Sequence, residues 1–286
     1  FRDWVHVLPL AINGGFGWAN NQALLRLLQR AEPPEYIHLL NPDTVPEPGA
    51  VAALLAVIRA HPQIGAVGSQ LLEPDGALAG SAFRFMTPGR EFARGVGVAR
   101  IGRLLGIAPG LVELSEPGPA QWVTGASVLL RSAALRQVGL FDDGFFLYFE
   151  EVELMHRMAR AGWEMWHVPA SRIMHIAGAS TGVASGGQSG VPAYPAYRYA
   201  ARRRYLARTG GVAGLMAANA AWLAGKLLAK LLTPLRRRRD MDIPRELSMT
   251  LRHGFWPARR DFAASHPAWD EPPGRPPAWM RAAAKD

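Results

Sequence analysis

The chain has 286 residues, which is enough for roughly two domains. Hydrophobic residues make up 49% of it and charged residues 19%, so the composition excludes an intrinsically disordered polar chain. With 32 Lys and Arg against 23 Asp and Glu, the net charge of +9 favours an anionic partner: nucleic acid, a phosphate-bearing substrate or an anionic membrane surface. The sequence contains no Cys, which excludes disulfide frameworks, thiolate nucleophiles and cysteine zinc sites.

Three regions differ in composition along the chain. Residues 1–181 alternate apolar runs with glycine and proline turns, which predicts a compact domain. Residues 182–194 are rich in Gly, Ser and Pro and predict a linker. Residues 195–286 carry arginine runs on both sides of an apolar stretch, which predicts a basic helical appendage. Residues 1–10 lack the basic-then-apolar pattern of a secretory signal.

The apolar runs of the first region follow strand and helix spacing in alternation. In chain order we predict a strand at residues 5–12, a helix at 19–31, a strand at 36–40, a helix at 49–60, and strands at 64–72 and 122–130, followed by a helix from Ser132 to Gly139 and a strand at 171–174. This alternation predicts an α/β domain with a mainly parallel sheet flanked by helices.

The first motif is glycine-rich and lies between a predicted strand and a predicted helix. It reads Asn13-Gly14-Gly15-Phe16-Gly17 and is followed by Asn20-Asn21. Glycines at such a turn allow the backbone to approach a ligand, and a helix N-terminus favours phosphate. The dinucleotide fingerprint requires glycine where Asn20 stands, so the motif does not favour a Rossmann site. A turn that needs glycine only for its backbone explains the motif equally well.

Two predicted strands end in polar residues that are candidates for ligand contact. The strand at 36–40 is followed by Asn41-Pro42-Asp43, and the strand at 171–174 by His175. Ligands of open α/β sheets bind at the carboxyl ends of strands. Asp43 is therefore a candidate for holding a divalent cation, and His175 for contacting phosphate or metal. The alternatives are that Asp43 caps a turn and that His175 is structural.

Three carboxylates, Glu150, Glu151 and Glu153, open a further predicted helix. Carboxylates at this position complement the helix dipole without any catalytic role. Glu153 and Arg157 are four residues apart, so we expect them to form an ion pair. Glu150 and Glu151 follow an aromatic run, where partial burial raises a carboxylate pKa and suits a general base.

Five motifs occur in a fixed order between Ala11 and Thr181. They are Asn13-x-Gly15-Phe16-Gly17-x-x-Asn20-Asn21, Leu39-Leu40-Asn41-Pro42-Asp43, Trp122-x-x-Gly125-Ala126, Phe149-Glu150-Glu151-x-Glu153-Leu154-x-x-Arg157 and His175-x-x-Gly178-x-Ser180. Together they resemble glycosyltransferase family 2, and within it the rhamnosyltransferase-like enzymes of bacterial cell-envelope polysaccharide synthesis.

The resemblance implies an α/β fold of the GT-A type and inverting transfer of a sugar, with rhamnose the first candidate, from a nucleotide-diphosphate donor to a lipid-linked or polysaccharide acceptor. It also implies Mg²⁺ or Mn²⁺ as cofactor. By resemblance Glu151 is the catalytic base and Asp43 the metal ligand. The implied donor-binding residues are Asn13, Gly15, Phe16, Asn20, Asn21, Asn41 and His175. The implied acceptor-binding residues are Trp122, Gly125 and Ala126.

The chain departs from the family pattern in two respects. Glu150-Glu151-Val152-Glu153 stands where the family favours Glu-Asp-x-Asp. The strand-helix-strand unit that carries the base-recognition aspartate in the family has no counterpart before Phe1, so we expect a fold that is truncated at its N-terminus. The alternative function is therefore a transferase-like binding or scaffold protein without catalysis. Nucleic acid is not the expected partner, because the arginine runs flank an apolar helix rather than a nucleic-acid motif.

The apolar stretch of the C-terminal region suggests contact with a membrane. Residues 211–225 are uncharged but shorter than the ~20 residues of a spanning helix. Lys226 and Lys230 lie beside a leucine stripe, and residues 236–239 are all Arg. We therefore expect an interfacial helix that holds the protein peripherally on the cytoplasmic face of the bacterial inner membrane. A spanning helix with snorkelling lysines and a core helix are the alternatives.

Overall fold

The computed structural model describes residues 4–176, 193–232 and 243–283. Its strands are β1 (Tyr36–Leu40), β2 (Thr44–Pro46), β3 (Ile64–Leu72), β4 (Ala82–Phe83), β5 (Gly118–Ala120), β6 (Trp122–Val123), β7 (Ser127–Arg131) and β8 (Glu164–His175). Its helices are α1 (Phe16–Leu28), α2 (Ala50–Ala60), α3 (Pro88–Val96), α4 (Ala99–Leu104), α5 (Ser132–Val138), α6 (Glu150–Arg160), α7 (Ala196–Leu232), α8 (Glu246–Met249) and α9 (Ala278–Ala283). A π-helical turn at Thr250–Gly254 and a 3₁₀ turn at Arg259–Asp261 lie between α8 and α9.

The main sheet has the strand order β1-β7-β3-β8-β2, and β5 adds a further antiparallel pairing on β8. Only β3 and β8 pair in parallel among the described strands; β7 lies antiparallel between β1 and β3, and β2 is antiparallel to β8. The predicted α/β class with flanking helices is confirmed, but the sheet is mixed, with one parallel pairing among the described strands where a mainly parallel sheet was expected. β1, β3 and β8 still share one direction, so their carboxyl ends lie at the same edge of the sheet.

Helices cover both faces of this sheet. Leu24 and Leu28 of α1 pack with Met155 and Met158 of α6 against one face, where Leu130 of β7 is also buried. The opposite face is covered by α2, whose Leu54 and Ile58 pack against β3, β7 and β8. Successive residues of β7 point to opposite faces, as the pleat of a strand requires, so this strand has hydrophobic residues on both sides.

The two predicted strands at 36–40 and 64–72 are confirmed with the same bounds. The predicted strand at 5–12 is wrong: this segment pairs with no described strand. An extended segment becomes a strand only when a neighbour satisfies its backbone groups, and an apolar pattern does not supply that neighbour. The predicted strand at 122–130 is two strands, β6 and β7, because residues 124–126 turn away to hydrogen-bond elsewhere.

The long helix α7 consists of two parts that meet at Gly211. This glycine has φ 64° and ψ −166°, a backbone conformation that glycine adopts without a Cβ clash. The second part crosses α3 very closely, since a Cβ on Gly225 would lie 2.3 Å from the Phe92 carbonyl oxygen. By length and composition, α7 is long and apolar enough to cross a membrane, with a window of mean hydropathy 1.4.

The residues after α7 fold back onto the first region. Trp18 Nε1 donates to the Arg275 carbonyl oxygen at 2.7 Å, and Trp279 Nε1 donates to the Gly14 carbonyl oxygen at 3.0 Å. The C-terminal segment therefore packs directly against α1 and the glycine-rich turn. The predicted linker lies outside the described residues up to residue 192, and the arginine run at 236–239 lies outside them entirely.

Candidate active site

Asp43 and His175 meet at one edge of the sheet. β2 pairs with β8 in a register that places Thr44 opposite His175, and the Ile176 amide donates to the Asp43 carbonyl oxygen at 2.9 Å. This pairing brings Asp43 Oδ1 to 3.3 Å from His175 Nε2, with side chains 13% and 22% exposed. A carboxylate and an imidazole that are distant in sequence thus share one solvent-accessible position.

Asn41 shapes the turn that carries Asp43. Its carbonyl oxygen accepts from both the amide and the hydroxyl of Thr44, so the turn is closed by local bonds. Its own amide donates to the Ala126 carbonyl oxygen at 2.9 Å, which ties the turn to residues 124–126. The main chain of Asn41 therefore has a clear positioning role beside Asp43.

Gly125, Phe16 and Glu151 come together from three separate elements. A Cβ on Gly125 would lie 3.3 Å from Cζ of the Phe16 ring and 3.7 Å from Cβ of Glu151. A larger side chain at residue 125 would therefore fill the space next to the Glu151 side chain. One expected donor residue, one expected acceptor residue and the expected base are therefore neighbours in the fold.

The glycine-rich turn is locked to the segment before α6. Gly15 has φ 90°, and a Cβ there would lie 1.9 Å from the Phe146 carbonyl oxygen, so only glycine fits. The Phe16 amide donates to that same oxygen at 3.2 Å, and the Asn13 side chain accepts from the Gly15 amide at 3.2 Å. The N-terminus of α1 is therefore held beside the start of α6.

Three of the expected binding residues have structural partners. Asn21 is buried, and its side-chain amide exchanges two hydrogen bonds with the Phe141 backbone, at 2.8 and 3.0 Å. The Asn20 side chain donates to the Phe16 carbonyl oxygen within its own helix. Ala126 is buried in an apolar cluster with residues of β3 and β8. These contacts place the three side chains in the framework around the site.

Glu150 and Glu151 stand at the start of α6 with unusual surroundings. The two residues before them, Tyr148 and Phe149, have φ of 73° and 70°, a left-handed conformation that costs about 1–3 kcal/mol for such side chains. Within the described residues, Oε2 of each glutamate is buried and has no hydrogen-bond partner. Burial raises the pKa of Glu151; for Glu150, burial and then the Glu151 charge raise the pKa well above its ordinary value.

Glu153, on the same helix, is an ordinary structural carboxylate. Its oxygens lie 2.9 Å from Arg157 Nε and 3.0 Å from Arg208 Nη2, which confirms the expected pair with Arg157. Burial alone would raise the pKa of Glu153, but the two guanidinium groups hold that pKa below its ordinary value. Glu153 is therefore ionised and held in ion pairs with both arginines.

Asp142, Glu153 and His266 form a second cluster that superficially resembles a metal site. Their ligand atoms lie within 4.8 Å of one another. Arg204 and Arg208 already contact Asp142 at 2.8 and 3.2 Å, and Glu153 has the arginine partners described above. A divalent cation would have to enter among these guanidinium groups, so the cluster does not fit a metal ion.

Some residues at the site could not be found from the sequence. Trp279 binds the Gly14 carbonyl oxygen and packs against the Phe146 ring at 5.2 Å, although it lies 265 residues away in the chain. Trp122 was an expected acceptor residue, but its partner was not: it stacks on Phe83 at 4.3 Å and lines a large groove. No local spacing signals such contacts, because they depend on how distant elements pack.

Comparisons with known proteins connect this geometry with a family of relatives. The chain is 33% identical over 190 residues to the N-acetylglucosaminyl-diphospho-decaprenol L-rhamnosyltransferase of Mycobacterium tuberculosis, in two strains, and the match covers 62% of this chain and 61% of the relative. It is 36% identical over 56 residues to the rhamnosyltransferase WbbL of Escherichia coli K12, covering 20% of this chain and 21% of the relative. The chain thus spans about three fifths of the length of the mycobacterial relatives it matches.

A crystal structure of GalNAc-T7 with UDP, GalNAc and Mn²⁺ aligns with a TM-score of 0.42 and 16% identity, covering 82% of this chain and 41% of that chain. In the sequence, residues 4–185 match the family model described as glycosyltransferase like family 2. Since that match spans well over half of the chain, and the mixed sheet with flanking helices is that of a GT-A fold, the chain belongs to glycosyltransferase family 2.

Proposed function

We propose that this chain is an inverting glycosyltransferase that moves a sugar from a nucleotide-diphosphate donor to a lipid-linked acceptor in cell-envelope glycan synthesis. The observation that carries the proposal is the unpartnered carboxylate oxygen of Glu151 beside Gly125. The mycobacterial relatives are rhamnosyltransferases that act on a diphospho-decaprenol substrate, which supports rhamnose as the sugar and a polyprenyl diphosphate sugar as the acceptor.

Glu151 is suited to be the general base. In an inverting transfer the acceptor hydroxyl oxygen attacks the anomeric carbon, the bond to the leaving diphosphate breaks, and the hydroxyl proton passes to the base. Oε2 of Glu151 has no hydrogen-bond partner among the described residues, so one of its lone pairs is available to accept that proton. Burial raises the pKa of the Glu151 carboxyl group, which makes the carboxylate a stronger base. Glu150 is 3% exposed and lies deeper, so it is less able to reach an acceptor.

Asp43 and His175 fit a divalent cation such as Mg²⁺ or Mn²⁺. Carboxylate oxygen and imidazole nitrogen are ligands for Mn²⁺, and Mg²⁺ accepts carboxylate oxygen. The two groups lie 3.3 Å apart at an accessible edge of the sheet and carry no arginine partner in the described chain. A cation held there supplies charge neutralisation for the leaving diphosphate. Because the protein offers few ligands, we expect weak cation binding without nucleotide.

The donor-binding role of the glycine-rich turn also remains a proposal. Gly15 and Phe16 place the N-terminus of α1 next to residues 125 and 151, and Asn41 positions Asp43. A helix N-terminus at this place would favour the donor phosphates. Asn13 fixes the turn through its bond to the Gly15 amide, so it supports the donor site indirectly.

We further propose that residues 1–181 form the catalytic domain and that the second part of α7 lies at the membrane surface. Val212, Leu227 and Leu231 of this part are 54%, 57% and 74% exposed, while Leu215 and Trp222 are buried against the protein. One face of the helix is thus packed and another is apolar and open, as in an interfacial helix. Lys226 contacts Glu246 at 3.1 Å.

The function is tested by transfer of labelled rhamnose from its nucleotide diphosphate to a polyprenyl diphosphate sugar. We expect transfer by the wild type with Mn²⁺ or Mg²⁺, and loss of transfer in Asp43→Ala. The matched control is Asp75→Ala, because Asp75 is an exposed turn residue whose side chain accepts from the Ala77 amide. Donor binding without any transfer by the wild type would contradict the proposal and favour the scaffold alternative.

A further inference from the structure

A large groove adjoins the candidate active site. Its volume is about 630 Å³, and it is lined by residues of the 83–111 segment, by Trp122 and Phe149, and by the first turns of α7. Phe149 directly precedes Glu150, and Trp122 lies three residues before Gly125. The groove therefore includes one expected acceptor residue, Trp122, and its lining residue Phe149 is two residues from the proposed base Glu151.

The walls of this groove are apolar and its charges are positive. Phe83, Phe85, Met86, Ile107 and Leu111 line it together with the two aromatic residues above. Six arginines and two glutamates also line it; the arginines are Arg84, Arg90, Arg94, Arg103, Arg198 and Arg202. We call it the arginine groove. An apolar cavity with excess positive charge suits a ligand that has a hydrocarbon part and an anionic part.

The two glutamates do not neutralise the whole groove. Glu91 is paired with Arg202 at 2.6 Å and with Arg94 at 2.9 Å, and Glu246 is paired with Arg94 at 2.7 Å and with Lys226. Both acids are therefore committed to Arg94, Arg202 and Lys226. The other four arginines of the groove have no carboxylate within ion-pair distance in residues 4–176, 193–232 and 243–283.

Arg84 and Arg90 are fixed near each other without an anion. Arg84 donates to the carbonyl oxygens of Pro109 and Leu111, and Arg90 donates to those of Ala108 and Phe85. Burial and then the Arg84 charge lower the pKa of the Arg90 guanidinium, so the pair is electrostatically unfavourable as it stands. Guanidinium groups have five donors each and bind phosphate oxygens bidentately.

Arg198, another arginine of the groove, lies beside the aromatic residues that precede Glu150. Its guanidinium lies 3.8 Å from the Tyr194 ring centre and 5.6 Å from that of Tyr148, which precedes Phe149 and Glu150. α4 contributes Arg103 to the lining, and the next two residues in the chain, Leu104 and Leu105, are 87% and 56% exposed. The groove thus contains several positive charges, and an exposed apolar surface directly follows one of them in the chain.

We propose that the arginine groove binds the diphosphate and the first isoprenoid units of the lipid-linked acceptor. The inference rests on the proposed function and adds the acceptor subsite to it. Arg84, Arg90 and Arg198 contact the diphosphate, the aromatic and aliphatic walls cover the first part of the chain, and Leu104 and Leu105 lie where the chain leaves. The sugar then points past Phe149 towards Glu151.

The first test measures binding of farnesyl diphosphate to the full chain by calorimetry, without donor and without sugar transfer. We expect Arg84→Gln/Arg90→Gln to bind about tenfold or more weakly, because the variant loses the charge-assisted hydrogen bonds that the two guanidinium groups donate to the diphosphate. The matched control, Arg59→Gln, removes an exposed arginine of α2 and should bind as the wild type does. Farnesol and inorganic diphosphate should each bind more weakly than farnesyl diphosphate.

Three results would overturn the proposal: equal affinity in the wild type and in Arg84→Gln/Arg90→Gln, absence of farnesyl diphosphate binding, or displacement of the probe by a nucleoside diphosphate alone. Should the double variant fail to fold, Arg198→Gln decides, because its side chain contacts rings rather than carbonyl groups. Unchanged affinity in Arg198→Gln would then contradict the proposal.

A second readout separates this inference from the proposed function. In the transfer assay, the double variant should raise KM for the lipid diphosphate acceptor and leave KM for the donor unchanged. The same sugar on a short uncharged alkyl group should be used equally by both proteins. Probe binding that depends on the arginines, without transfer by the wild type, would refute the proposed activity and retain the groove as a polyprenyl diphosphate site.

Discussion

The first turn of α6 contains glutamates in two opposite electrostatic environments. Glu150 and Glu151 have buried oxygens without partners and raised pKa values, whereas Glu153, only two residues further, is paired with two arginines and has a lowered pKa. The residue type and the helix are the same. The difference is set by whether a guanidinium group reaches the carboxylate.

The arginines of the molecule show the same contrast. Arg202, Arg203 and Arg204 form a run that composition alone would assign to an anionic surface, yet each contacts a buried carboxylate, at 2.6, 2.7 and 2.8 Å. Arg84 and Arg90, which are not part of any run, donate to backbone carbonyl groups and contact no carboxylate among residues 4–176, 193–232 and 243–283. Removing one partner of a buried ion pair is costly, whereas a charge without a carboxylate partner is a candidate for ligand contact.

Among the ion-paired carboxylates, we expect the largest effect on stability from Glu153→Gln. Removing the Glu153 charge leaves Arg157 without a carboxylate and Arg208 with Asp142 alone, so we expect a loss of about 3–5 kcal/mol in the free energy of unfolding. Urea denaturation measures it. A loss below about 1 kcal/mol would show that the Glu153 pairs contribute no more than a surface pair does.

The unpaired carboxylates, Glu150 and Glu151, predict a particular pH dependence of sugar transfer. The proposed base acts when ionised, so kcat/KM should fall as the pH decreases through the pKa of Glu151, which burial raises above the ordinary value of a glutamate. Burial and the Glu151 charge both raise the pKa of Glu150, which favours a neutral Glu150 beside an ionised Glu151, and Gln has nearly the same shape and the same charge as that neutral acid. Glu150→Gln should therefore keep the acidic limb where it is in the wild type. A shift of that limb to lower pH by a unit or more would show that Glu150 is ionised in the active protein.

The smallest effect is expected at an exposed pair. Glu47 and Arg172 lie 3.3 Å apart with side chains about half exposed, and such pairs are worth about 0–1 kcal/mol. Glu47→Gln should change the free energy of unfolding by less than about 1 kcal/mol in the same urea experiment. A loss of unfolding free energy as large as that of Glu153→Gln would mean that the contribution of an ion pair to stability does not depend on its burial.

The sequence predicted the elements whose signal is local. β1 and β3 were found with their bounds, because each is a continuous apolar run, and Gly139 ends α5 as its conformation with φ 79° requires. The ion pair between Glu153 and Arg157 followed from helix spacing. The segment at 5–12 has an equally apolar pattern, but pairing decides whether such a segment is a strand, and pairing is not local.

The candidate site was predictable only in part, because its residues are brought together by pairings that are not local. Asp43 and His175 were singled out separately, and only the β2–β8 register shows that they meet. The partners of Arg202 and Arg204 lie 111 and 62 residues away, so the sequence shows the charges without their neutralisation. The groove is likewise built from segments that no motif connects.

The most direct test of the account compares kcat and donor affinity in Glu151→Gln with those of the wild type. Because Glu151 is assigned as the base and has no structural partner for Oε2, kcat should fall about 100- to 10,000-fold while the donor Kd and the free energy of unfolding stay close to wild type. A Glu151→Gln protein that transfers sugar at the wild-type kcat would contradict the assignment of the unpaired carboxylate to catalysis.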